Sequence, residues 1–341
     1  MLLRDSKFEL LRIIAIFGII LFHYSDHGCN SISPLNSLFI NYNLQSLFRI
    51  GGGFGNIIFI LLSGYFSSKS EFKWTKVVKL YGLVLFYSIF AYLIYIYLSG
   101  DLSYKIFIIS ITPFTHDVYW FFSSYIILYI FSPILNVSYK SLGTKNRISI
   151  ILSLFYITSV LPQNGYYFFV DQNRLLVFFT VYLIGCEIKL QESFIKKIPF
   201  FIIIPTTSLI FIYIFISIYT NNFSNDLNRK YEAVWGMEKT PIILFSVTIF
   251  FIFIKIHSFY SRIINLISSS VFSVYLIHMN PLTTFYIWDS IFNIKKYYTD
   301  ELMIPYMLFT SCILLIVCLF IDYIRKFFLK LLFILNRNYY G

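Results

Sequence analysis

The sequence predicts an all-α fold: a bundle of about ten helices crossing a membrane, with both termini on the cytoplasmic side. Three observations carry this expectation. Hydrophobic residues make up 58% of the chain and charged residues only 13%, where a soluble domain carries about a quarter charged. Apolar runs recur from one end of the chain to the other, so they do not amount to a single anchor on a soluble body. Basic residues gather in short clusters between the runs, as a topology signal does.

The first run, "FELLRIIAIFGIILFHYS", gives a span at Phe8–Tyr24. Arg12 interrupts its apolar stretch and no small-residue cleavage site follows "HYSDHG", which excludes a cleavable signal peptide. The second span, Gly52–Phe66, opens with glycines at 51, 52, 53 and 55 and carries Ser63-Gly64; small residues permit close helix contact or close approach of a ligand. Val77–Leu98 forms the third. The fourth, Tyr119–Asn136, places Tyr119 and Trp120 at its outer end as an interfacial aromatic belt, and Pro133 is expected to kink or end it. Ile148–Leu161 is shorter than the roughly 17–25 residues of a full crossing, which leaves a re-entrant segment open. Leu175–Leu190, Ile198–Tyr219, Ile242–Ile256, Ile263–Met279 and Met303–Ile321 complete the set.

With the N-terminus inside, 18 Lys and Arg residues fall in inner loops and 8 in outer ones, which supports this orientation. The net charge of +11 is therefore a membrane signal, and no nucleic-acid partner is expected. The four cysteines, Cys29, Cys186, Cys312 and Cys318, show no paired spacing for a disulfide framework or zinc site, and no metal is expected. No repeat of 20–50 residues is visible. The longest outer loops, such as Asn221–Thr240, are too short to fold alone, so residues 1–341 read as one transmembrane domain.

Arg12 and His23 are the costly residues of the first span. They stand 11 positions apart, about 20° past three full turns, so they share a face with a rise of roughly 16 Å between them. A central Arg costs on the order of 2.5–3.5 kcal/mol to insert, which favours the bundle interior; taken singly, each residue also fits a snorkelling role at its own interface. In the ninth span, "ISSSVFSVYLIHMNP", Tyr275 and His278 share a face and His278 reaches about the depth of His23. Arg174 begins the sixth span from outside, and Glu187 lies at its inner end, able to pair with a cytoplasmic-side cation or to reach water.

These stretches resemble membrane acyltransferase family 3, the integral-membrane O-acetyltransferases. Its hallmark, an Arg and a His with ten residues between them in the first span, is met by Arg12 and His23. "RDSKFELLRIIAIFGIILFHY", "FILLSGYF", "YWFFSSYIILYIFSPILN", "RLLVFFTVYLIGCEIKL" and "SSSVFSVYLIHMNPL" follow in the family's order over most of the chain. The resemblance implies about ten membrane helices and transfer of an acyl group, usually acetyl, from cytoplasmic acyl-CoA to hydroxyls of cell-surface carbohydrate. No fused extracytoplasmic esterase-like domain is expected after the last span, and such stand-alone forms look most like enzymes of capsular or exported bacterial polysaccharide. One departure is the loop "SSKSEFKWTKVVK", where relatives often carry arginines and this chain has lysines, which fork no bidentate phosphate contact.

On this resemblance His23 and Arg12 are the catalytic candidates, His23 as general base or transient acyl carrier, with a neutral imidazole required for either role. Arg12, Lys73, Lys76 and Lys79 would face the phosphates of the donor, acetyl-CoA. His278, Tyr275, Trp120, Arg174, Ser63 and Gly64 are the substrate-binding candidates, with Tyr119, Trp120 and Trp288 at the outer mouth able to stack on sugar faces or to serve as belt. The partners implied are the bilayer, acyl-CoA and a polysaccharide or glycolipid acceptor, in a plasma or inner membrane. The rival class is a transporter or flippase for a lipid-linked glycan or small polar solute. Against it stand the lack of paired broken helices in two related halves and the near absence of intramembrane carboxylates.

Overall fold

A computed structural model of the chain describes residues 5–29, 39–68, 71–161, 173–223, 236–297 and 300–339. Lys69 of the loop "SSKSEFKWTKVVK" and residues 224–235 of the predicted loop Asn221–Thr240 lie outside the described residues. Among the described residues the chain is helical, with no strand. In order these are α1 (Ser6–Cys29), α2 (Phe39–Phe48), α3 (Ile50–Ser67), α4 (Trp74–Ser99), α5 (Tyr104–Ile111), α6 (Trp120–Ser141) and α7 (Thr144–Phe155). There follow α8 (Asn173–Leu190), α9 (Glu192–Lys197), α10 (Phe200–Phe223), α11 (Thr240–Lys255), α12 (Arg262–Ser268), α13 (Val271–His278), α14 (Pro281–Phe285) and α15 (Met303–Tyr339).

Six stretches are long and apolar enough to cross a membrane: Ser6–His27, Asn43–Ser67, Trp74–Ser99, Trp120–Ser141, Phe200–Thr220 and Met303–Leu331. Arg262–His278 and Pro281–Ile291 pass together as a pair bent by 77°, and α11 is apolar but shorter. The chain is a polytopic helical membrane protein. Every predicted span falls on a helix, although the fifth is α7 extended by a π-helical turn at Tyr156–Val160 and the ninth is broken into α12 and α13. Pro133 does not end the fourth span; α6 runs through it to Ser141. The short helices α2 and α5 have no counterpart in the sequence reading, because neither is long enough to register as a crossing.

The third helix is the axis of the bundle, buried from Ile50 to Ser67 along most of its length. Glycine puts it there. A methyl group on Gly51 would meet the Gly18 carbonyl oxygen at 2.2 Å, and one on Gly55 would meet that of Ala15 at 2.6 Å, so α1 and α3 touch backbone to backbone. On the other side, a Cβ at Gly64 would lie 2.1 Å from the Tyr182 carbonyl oxygen, and one at Gly185 would lie 2.5 Å from that of Leu61. Lipid tails are as apolar as leucine, so association in a membrane depends on such close packing. The outer faces of α4, α10 and α15 carry the exposed Leu, Ile and Phe that a lipid-facing surface needs, among them Leu93, Ile212 and Phe320.

Polar ties join several helix ends. Ser6 donates its backbone N–H to the Phe259 carbonyl, and its hydroxyl bonds Asn265, which locks the start of α1 to that of α12. Lys7 Nζ reaches the carbonyls of Ile254 and Ile256 at the end of α11. Asp322 on α15 is fully buried between Arg325 (2.7 Å) and Lys326 (2.8 Å) and accepts from the Tyr87 hydroxyl on α4. Removing one partner of such a cluster costs about 3–5 kcal/mol, because it leaves a buried charge uncompensated. Glu187 pairs with Arg147 at 2.8 Å and accepts from Tyr139.

Candidate active site

One stripe of α1 organises the site. Arg12, Ile16, Ile19 and His23 recur at four-, three- and four-residue steps, the spacing of a single helix face. The first three line a cavity of about 350 Å³, within the range of small-molecule sites. From α3 come Asn56, Phe59 and Ser63; from α6, Phe121 and Tyr125; from the α12–α13 break, Ser268 and Ser269; and from α13, Tyr275. His23 lies one turn beyond Ile19, and His278 lies three residues beyond Tyr275. The cavity thus begins at Arg12 and stops one turn short of two imidazoles.

At the Arg12 end the polar groups are paired. Glu9, buried and three residues before Arg12, holds its guanidinium at 2.6 Å. The other Glu9 oxygen accepts from the Ser268 hydroxyl. Arg12 is therefore anchored on one side and keeps donors facing the cavity, since a guanidinium carries five. Its Cζ also sits 6.0 Å from the Phe66 ring centre.

At the far end, His23 is 8% exposed and His278 wholly buried, with ring centres 5.4 Å apart. His278 Nδ1 lies 2.6 Å from the Val274 carbonyl oxygen. A carbonyl can only accept, so Nδ1 carries the hydrogen, and in the neutral ring Nε2 carries the lone pair. That Nε2 is buried without a partner among the described residues. The residues around it are braced: Asn280 donates to the Tyr119 hydroxyl at 2.8 Å, and Tyr119 donates to the Leu276 carbonyl at 3.1 Å. His27 stacks on Trp288, with centres 6.3 Å apart, beside the His23 ring. An unpartnered imidazole nitrogen on a ring beside a second imidazole is a place where a proton can be accepted and handed on.

The predicted residues divide. Arg12, Lys76, Ser63 and Tyr275 line the cavity, and His23 and His278 stand together beyond its end. Lys76 Nζ lies 4.3 Å from the Tyr129 ring centre; Lys73 and Lys79 are exposed and do not line the cavity. Ser63 and the Tyr125 hydroxyl are 3.2 Å apart, a bond that ties α3 to α6 at the wall. Gly64 faces away from the cavity, into the crossing with α8. Trp120 and Arg174 form their own pair, guanidinium 5.4 Å from the ring centre, with Arg174 also bonded to Asp117 at 3.3 Å. Neither lines the cavity. Tyr119 and Trp288 are buried, 1% and 0% exposed, which removes both from the belt and from the outer surface.

Glu9, Asn56 and Tyr125 escaped the sequence reading. Glu9 left a signal, its i,i+3 spacing to Arg12; the other two reveal themselves only once α3 and α6 are seen to face α1. Among the described residues no three His, Cys, Asp or Glu side chains gather closely enough to hold a metal ion.

Fold and site together define a multi-pass membrane protein that encloses a partly polar cavity between an arginine and a histidine pair. Residues 5–323 match the acyltransferase domain of acyltransferase family 3, and the chain belongs to that family. It is a membrane acyltransferase. Comparison with curated proteins and with solved structures gave no match.

Proposed function

We propose that this protein transfers an acyl group, acetyl by the family's usual choice, from cytoplasmic acyl-CoA to hydroxyl groups of a cell-surface or exported polysaccharide, in the plasma or inner membrane. The single observation that carries the reading is the α1 stripe: an anchored arginine, two cavity-lining isoleucines and a histidine in line. The cations Arg12 and Lys76 suit donor phosphates at one end. Ile16, Ile19, Phe59 and Phe121 suit a thin pantetheine arm between the ends. His23 would act where the thioester arrives.

As a base, neutral His23 takes the proton of the acceptor hydroxyl while its oxygen forms a bond to the thioester carbonyl carbon. The carbon–sulfur bond then breaks, and the imidazolium returns the proton to the departing thiolate. As a carrier, His23 nitrogen would form the acyl bond first and the hydroxyl oxygen would displace it. In both variants the acceptor gains the acyl group and CoA leaves as the thiol. His278, through its free Nε2, would hold the acceptor hydroxyl or relay its proton.

His23→Ala, after a check of insertion and abundance, should abolish O-acetyl signals on the surface polymer by NMR; near-normal acetylation would remove His23 from the chemistry. Arg12→Lys separates a forked contact from charge alone: full activity would mean that the guanidinium geometry is not used.

A further inference from the structure

A second cavity, of about 320 Å³, opens against the inner halves of α3 and α6. It meets the first one at Ser67, which lines both. Lys76 stands at the junction: it lines the first cavity, and its ammonium group lies over the ring of Tyr129, which lines the second. Tyr129 is fixed there by accepting the backbone N–H of Lys73 at 3.2 Å and by contact with Phe72, ring centres 5.1 Å apart.

The chemistry of this second space differs from that of the first. Tyr129, Phe72, Pro133 and Val137 give it flat and apolar walls. Asn136 is held rigidly, its amide donating to the Ser67 carbonyl at 3.1 Å and its oxygen accepting from Tyr182 at 3.0 Å. Lys140 and Glu71, both exposed, put one cation and one carboxylate at the rim. Flat apolar walls suit a heteroaromatic ring. A carboxylate accepts from an exocyclic amine or a ribose hydroxyl, and lysines at the rim and at the junction flank the position of a phosphate chain.

We infer that the second cavity seats the adenosine-phosphate end of acyl-CoA, while the Arg12 cavity receives its pantetheine arm and thioester. This inference rests on acyl-CoA being the donor. It assigns Lys76 to the pyrophosphate between the two parts, and Val137 and Lys140 to the nucleotide, away from the reacting atoms. The donor is then read twice, once for its thioester and once for its nucleotide, and a thioester without a nucleotide is a poorer substrate.

The test compares two donors on purified full-length protein. Labelled acetyl-CoA carries the nucleotide; labelled acetyl-pantetheine does not. Val137 is 73% exposed, so Val137→Trp can fill the second cavity without disturbing the core; Lys140→Glu reverses the charge at its rim. Both variants should weaken acetyl-CoA binding at least tenfold and leave acetyl-pantetheine binding within twofold. Adenosine 3′,5′-bisphosphate should compete with acetyl-CoA on the wild type and much less on either variant. Unchanged acetyl-CoA affinity in both variants, or equal weakening of the two donors, would overturn the nucleotide seat while leaving the donor reading intact. A wild type that binds acetyl-pantetheine but not acetyl-CoA would also overturn it. Binding of neither would overturn the donor reading itself.

Discussion

Alanine at position 64 drives a methyl group into the backbone of α8. The new Cβ would lie 2.1 Å from the Tyr182 carbonyl oxygen and 3.2 Å from the Cys186 nitrogen. Ordinary contact begins at 3.4 Å, so the helices must part locally by about 1.3 Å. Neither clashing atom can rotate away, because both belong to helix backbone. Overpacking in a close-packed interior typically costs about 1–3 kcal/mol, and a backbone clash belongs at the upper end of that range. Gly82 supplies the control. It lies inside α4 with nothing within 4 Å of a built Cβ, so Gly82→Ala should gain about 0.5–1 kcal/mol through helix propensity. Thermal unfolding of the purified protein in one detergent, followed by intrinsic fluorescence, should place Gly64→Ala several degrees below the wild type and Gly82→Ala at or above it. Because Ser63 and Ser67 flank this crossing and line the cavities, acyl transfer by Gly64→Ala should fall as well. A Gly64→Ala variant that melts with the wild type would refute the argument that α3 and α8 meet backbone to backbone.

Glu9→Gln removes the charge that holds Arg12 and leaves the side chain nearly the same size. A hydrogen bond to a charged group contributes about 1.5–3 kcal/mol, and Arg12 is 31% exposed, which favours the lower figure. Acyl transfer should drop roughly tenfold with the melting temperature little changed; an unaltered rate would show that Arg12 needs no anchor. Glu192 governs a different property. Burial opposes its ionisation, but hydrogen bonds from Lys189 and Lys196 outweigh that and hold its carboxyl down to about 2. A depressed acid adds stability above its unfolded value of 4.5 and loses it as pH falls towards about 2. The melting temperature of Glu192→Gln relative to wild type should therefore rise across that acid window; a difference independent of pH would exclude the linkage.

Much of the fold was legible because a membrane imposes a simple rule: a crossing helix needs a long apolar run. Each predicted run coincides with a helix. The break between α12 and α13 was not legible, because Ser268–Ser270 reads equally as helix interior or interruption until Lys326 is seen bonding Ser269 and Ser270. In the site, the Arg12–His23 stripe follows from helical periodicity alone, and periodicity also puts Tyr275 and His278 on one face. What periodicity cannot tell is the neighbour of each face. Gly64 belongs to the α8 crossing and not to the cavity because Tyr182 lies opposite, more than a hundred positions away. Trp120 pairs with Arg174 for the same kind of reason. The tautomer of His278 depends on one carbonyl, that of Val274, whose direction is set when α13 begins.

The elbow after His278 has a consequence for depth. A straight transmembrane helix answers a thicker or thinner bilayer by tilting, which shifts its side chains along the normal. The segment bearing His278 instead turns by 77°, and Thr284 donates to the carbonyls of His278 and Asn280 at 3.2 and 2.7 Å. Asn280 then pins the corner to Tyr119 at the start of α6. The level at which His278 faces His23 is consequently a dimension of the protein and not of the lipid, and changing acyl-chain length in reconstituted vesicles should leave the distance between the two rings untouched.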